Sequence, residues 1–133
     1  MEQNVNILIE ITREDHRLVS VKTIMPTWNR LGADGKTYIS IPFLGLETCS
    51  LGDNDTDKAF EEALTAFCIV AEKHGLGLES ELEFLGWTLV EKRDDTLSLL
   101  SNNSTNESIV AALSTGDTRA IQLNHLDSIL EPV

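Results

Sequence analysis

Asp53, Asp55 and Asp57 stand at alternate positions, the spacing of the first three oxygen ligands of a calcium loop. Such a loop also needs glycine at its sixth position and a bidentate glutamate at its twelfth, where this chain has Lys58 and Leu64. The aspartates are therefore read as helix-capping residues. Paired carboxylates can also hold magnesium for phosphoryl chemistry, and Glu10 with Glu47 or Asp53 could form such a pair across a sheet. Nothing fixes a second ligand, so Glu10 reads as the solvent-side member of an alternating strand. His16, His74 and His125 are never four residues apart, and none lies within five residues of Cys49 or Cys68. Surface or cap roles are expected for them, with His74 suited to a helix C-terminus. The two cysteines lack CxxC spacing and read as buried small hydrophobes, one on a strand and one on a helix. There is no GxSxG and no phosphate-binding glycine loop, and the serines near residue 104 have no paired base. The expectation is a chain with no catalytic residues, no metal site and no cofactor.

The elements that position these residues follow from periodicity. Val5, Ile7, Ile9 and Ile11 alternate with Asn6, Leu8, Glu10 and Thr12, a period of two that predicts a strand. Residues 13–17 are a polar turn and 18–24 a β-branched second strand, together an antiparallel hairpin. Residues 25–36 read as a connection, with Trp28 and Leu31 folded back on the core and a turn at Asp34-Gly35. A third strand spans 37–43; Pro42 near its end implies an edge position or a strand terminus. Gly45 turns the chain into a short fourth strand at 46–51. The firmest element is a helix over 56–74, opened by one of Asp55, Thr56 or Asp57 and closed by Gly75. Its apolar stripe is Phe60, Ala63, Leu64, Phe67, Val70 and Ala71. Beyond it lie a helical turn at 79–84, strands at 86–90 and 96–100 around a turn at 91–95, and a short helix at 108–114. The segment 119–130 is ambiguous between strand and helix.

A chain of 133 residues fits one domain, 1–133. No stretch approaches the roughly 20 apolar residues of a membrane span, and the acidic N-terminus does not look like an export signal. A cytoplasmic protein is expected. Net charge is −12, and its distribution is uneven. Residues 1–50 hold five Lys/Arg and six Asp/Glu, whereas 51–133 hold five and sixteen. That field repels phosphate backbones, disfavouring direct nucleic-acid contact, and attracts a basic partner.

Residues 37–75 carry a further pattern: Tyr38-Ile39-Ser40-Ile41, then Pro42, Leu44 and Gly45, a short strand at Thr48-Cys49-Ser50, the corner Gly52-Asp53, and Thr56 with Ala59, Glu62 and Ala63 on the helix. This resembles the core of HicB-type antitoxins. The resemblance implies an α+β, partly degraded RNase H-like fold, an antiparallel sheet packed on one main helix at about 56–74 as a strand–strand–strand–helix–strand core. That core would span about 5–90, with an extra N-terminal hairpin and a C-terminal extension at 91–133. It implies structural roles for Pro42, Gly45, Gly52, Thr56 and Gly75. It also implies a non-catalytic, homo-oligomeric domain that neutralises a small basic ribonuclease toxin by covering its active surface. Residues 90–133 carry no ribbon–helix–helix or helix-turn-helix module, and their negative balance argues against operator binding. The competing expectation is a stand-alone structural or oligomerisation module of the same fold. A metal-dependent nuclease would require at least three converging carboxylates.

Overall fold

The computed structural model describes residues 7–51, 55–101 and 117–130. The predicted helix at 108–114, and Gly52, Asp53 and Asn54 of the predicted corner, lie outside them. The chain is α+β. Strand β1 (Ile7–Glu14) returns as β2 (Arg17–Leu31), followed by β3 (Thr37–Ile41), β4 (Leu46–Ser50), helices α1 (Thr56–Lys73) and α2 (Leu78–Phe84), strands β5 (Trp87–Arg93), β6 (Thr96–Ser101) and β7 (Asp117–Leu123), and helix α3 (Leu126–Leu130). The seven strands form one antiparallel sheet in the order β4-β3-β2-β1-β6-β5, with β7 paired to β2.

The β1–β2 turn is tighter than the predicted five residues. Glu14 pairs with Arg17, and the two residues between them, Asp15 and His16, have φ of 51° and 68°. Positive φ at both central positions is what a two-residue hairpin needs to match strand twist. The β5–β6 turn is likewise narrowed to Asp94-Asp95, with Asp94 at φ 51°.

The largest departure from the expected elements is β2. The presumed connection from Met25 onward is strand as far as Leu31. Pro26 is accommodated because β2 has one partner strand at that position among the described residues, β7, through Pro26↔Thr118. The other edge there needs no donor, so a residue without an N–H breaks no ladder bond. Trp28 and Leu31 consequently do not fold onto the core; they are 40% and 76% exposed. The chain then turns at Gly35 (φ 84°) and enters β3. Pro42 ends β3 and begins a 3-10 turn, Pro42–Leu44, whose Gly45 (φ 64°) donates its N–H to the Pro42 carbonyl at 3.2 Å. Proline thus marks a terminus, and β3 is interior, between β2 and β4. The ambiguous segment at 119–130 divides at His125 (φ 58°) into β7 and α3.

Inward-facing residues of the sheet, among them Ile9, Ile11, Val21, Met25, Ile39, Ile41 and Leu99, pack against the helices. From α1 they meet Ala59, Phe60, Leu64, Cys68 and Ala71, and from α2 Leu78 and Leu82. Each large side chain buried here contributes about 1.5–3 kcal/mol. The stripe on α1 passes through Cys68 and leaves Val70, expected inside, 56% exposed. Trp87 of β5 locks the core laterally. Its ring meets Phe43 edge-on at 6.3 Å, and its Nε1 donates to the Phe43 carbonyl at 3.0 Å. A Trp N–H this deep requires such an acceptor.

The helix stops at Lys73 with His74 as C-cap, and Gly75 follows it directly, its N–H donating to the Val70 carbonyl at 3.0 Å; Gly77 (φ 105°) is the N-cap of α2. Gly75 is needed for space. A Cβ there would stand 2.6 Å from Glu81 Oε1 and 2.9 Å from the Ala71 carbonyl oxygen.

Candidate protein-recognition surface

Among the described residues, those singled out for chemistry are kept apart by this fold. Asp55 occupies the N-cap of α1 without a side-chain capping bond, and Thr56 is the buried first residue of the helix. Asp57 is spent on an ion pair with Arg119 of β7, whose Nε also donates to Thr27 Oγ1 at 3.0 Å. It ties a strand to a helix. Glu10 lies opposite Lys22 on β2 and Ser98 on β6. Glu47 is three strands away on β4, 3.6 Å from Arg30. His16 sits in the hairpin turn, His74 at the end of α1 and His125 before α3. Among the described residues no group of three His, Cys, Asp or Glu side chains converges.

The cysteines divide. Cys68 is buried, and burial first, then Glu72, pushes its thiol up to about 12. Cys49 is exposed, against expectation. On β4 the inward positions are Leu46, Thr48 and Ser50, so the alternation turns Cys49 outward.

The densest polar cluster centres on Arg13, in the segment expected to form the hairpin turn. Its Nε donates to Glu79 Oε2 at 2.8 Å and its Nη2 to Glu79 Oε1 at 2.5 Å and Glu72 Oε1 at 2.5 Å. Its Nη1 reaches Glu72 Oε2 at 3.2 Å and the His16 carbonyl at 3.0 Å. Glu72 also accepts the Leu78 N–H that opens α2, at 2.9 Å. One guanidinium thereby joins β1, the end of α1 and the start of α2. The Glu79 hydrogen bond, opposed by burial and reinforced by Glu72, raises the Arg13 pKa. Burial alone would raise Glu72, but the hydrogen bonds and charge of Arg13 and the Leu78 N–H hold it below the ordinary carboxylate value. A signal for this site was present: Arg13 continues the odd-numbered row Ile7, Ile9, Ile11 that faces the core. Grooves of about 590 and 540 Å³ flank the His16 turn; Glu72 in the first and Glu79 in the second are held by Arg13, while Asp127 also lines the first and Asp15, Asp94 and Asp95 the second.

A different character marks the surface running from the end of α1 across α2 to β5. Helix α1 carries four carboxylates and two lysines, and α2 carries three glutamates and no cation. Glu79 is turned to Arg13 and Glu81 accepts the Leu76 N–H at 3.2 Å, while Glu83 is exposed. Between these acids stand apolar side chains in water: Val70, Leu76 (73%), Phe84 (74%) and Leu85, continued by Leu89 and Val90 on β5. Single exposed hydrophobes are ordinary; exposed pairs at Phe84-Leu85 and Leu89-Val90, on two successive elements beside exposed carboxylates, have the composition of an interaction site. No helix among the described residues is long and apolar enough to cross a membrane. No family model, curated protein or solved structure matches this chain.

Proposed function

We propose that this chain is a non-catalytic recognition domain that binds and neutralises a small basic protein, as the HicB-like pattern of residues 37–75 implies. The observation that carries the reading is the apolar group at Leu76, Phe84, Leu85, Leu89 and Val90 set among the glutamates of α2. The apolar residues supply contact area and the carboxylates select a cationic partner. The β3, Gly45 turn, β4 and α1 succession supports the HicB-like affiliation.

The experiment is affinity capture from lysate of the native host at low salt, followed by purification and titration of what is recovered. A small basic protein is expected to bind stoichiometrically, and its binding should weaken by about tenfold when the exposed Glu83 and Glu62 are reversed to lysine. Recovery of no basic protein, or binding indifferent to charge reversal, refutes the reading. In that case a stable homo-oligomer by sedimentation would favour the structural-module alternative.

A further inference from the structure

We propose that the outer edge of β5 is the docking line of this surface, and that an extended basic–apolar segment of the partner adds to the sheet there as a further strand. The inference rests on the recognition reading above and names its mode. β5 ends the strand order, and among the described residues it pairs only with β6. It contains no proline, so a row of main-chain donors and acceptors faces outward, the template for strand addition. The opposite end of the sheet, β4, is a shorter strand of five residues against which α1 packs.

The side chains around the β5 edge suit an added strand. Leu89 and Val90 are 45% and 53% exposed, and Phe84 and Leu85 stand beside them at the end of α2. A register shift between Leu89 and Glu91 makes Val90 a bulge, and Glu91-Lys92-Arg93 follow it. Bulges and charges of this kind discourage indiscriminate edge pairing, leaving 87–89, ahead of the bulge, as the regular open segment. Glu83, Glu91, Asp94 and Asp95 border it against Lys92 and Arg93. A second copy of the chain would bring two charges of −12 together, whereas a lysine-bearing strand is attracted.

The probe is an acetylated, amidated heptapeptide of alternating lysine and valine. Two controls are the same peptide with all of its backbone amides N-methylated and one with glutamate for lysine. Amide chemical shifts and exchange rates are followed on the intact chain. The lysine peptide should shift and protect amides confined to 83–93, bind about tenfold tighter than the methylated peptide, and lose about tenfold on Leu89→Lys. Equal binding of the methylated peptide, shifts centred on α1, or peptide-induced self-association would overturn the edge assignment while leaving capture of a basic protein intact. No binding of the lysine peptide also overturns it. Equal binding of the glutamate peptide overturns it together with the basic selectivity on which the recognition reading depends.

Discussion

Replacing Arg13 by methionine tests whether the charge cluster organises the helical layer. Methionine keeps most of the apolar stem, so the change removes the guanidinium and little packing. Side-chain exposures of 19% for Arg13, 17% for Glu72 and 26% for Glu79 place the cluster between two regimes. Exposed ion pairs contribute about 0–1 kcal/mol. Removing one partner of a fully buried pair costs about 3–5 kcal/mol, because the other charge is left stranded. Two carboxylates that can still reach some water put the expected loss at about 2–3 kcal/mol, or roughly 8 °C in Tm for a chain of this size. Urea unfolding followed by circular dichroism measures it. A second arm adds Glu72→Gln and Glu79→Gln to the methionine variant; with no stranded charge, about 1 kcal/mol should return. The pH dependence has a fixed sign. Glu72 is held below its ordinary value of 4.5, so its contribution is present above that pH and is lost as pH falls through the folded pKa. Wild type therefore weakens on acidification through this group. In Arg13→Met the same carboxylate keeps its burial without its cation, and the deficit against wild type should shrink between about pH 7 and about pH 4. A methionine variant within about 0.5 kcal/mol of wild type, or a deficit that grows on acidification, would refute the reasoning.

Other perturbations separate the remaining assignments. Titration with a thiol reagent at mildly alkaline pH should label Cys49 at once and Cys68 only on unfolding, since burial both covers the second thiol and pushes it up to about 12. Gly75→Ala should cost about 1–2 kcal/mol through crowding against the Ala71 carbonyl, and Glu81→Ala should relieve the part of that cost arising from the carboxylate. Gly45→Ala, where nothing would touch the new methyl, should cost only the roughly 1 kcal/mol of a left-handed backbone. Leu64→Ala, at 1% exposure, should cost about 3 kcal/mol by denaturant titration.

The hairpin, β3, β4, α1 and β6 were legible because each has a clean period and a turn residue at its boundary. Reading failed where a local signal was outvoted by pairing. The strand expected at 18–24 runs on through Pro26 to Leu31, because β7, some 90 residues later, supplies a partner on the one side where it is needed. No window around Pro26 holds that information. Val70 and Cys68 illustrate a finer limit. Both fit a helical stripe, and the angle at which α1 crosses the sheet decides which is buried. The polar assignments failed for a related reason. Arg13 was grouped with its charged neighbours in the turn, although its parity placed it on the core face. Its partners, Glu72 and Glu79, are about 60 residues away and come together only when α1 and α2 close over β1. The candidate surface on α2 and β5 was not readable either, because exposure of Phe84 and Leu89 is a property of the packed layers.

The arrangement of the α2 glutamates sets how binding should respond to salt. Glu79 is paired with Arg13, which it shares with Glu72, and Glu81 is held by the Leu76 N–H, so Glu83 is the α2 carboxylate most open to a partner at close range. The remaining negative charge is spread over the chain and acts at a distance. Such a field speeds encounter more than it holds a complex together. Apolar contact with Phe84, Leu89 and Val90, and main-chain pairing along β5, would govern dissociation, and neither is strongly screened. Stopped-flow mixing with the lysine–valine peptide should therefore show the association rate falling by about tenfold between about 50 mM and about 500 mM salt, with dissociation changing less than about threefold. Leu89→Lys should do the reverse, raising the dissociation rate with a smaller effect on association. A dissociation rate that climbs with salt as steeply as association falls would mean that short-range ion pairs hold the complex, and that the apolar edge is incidental.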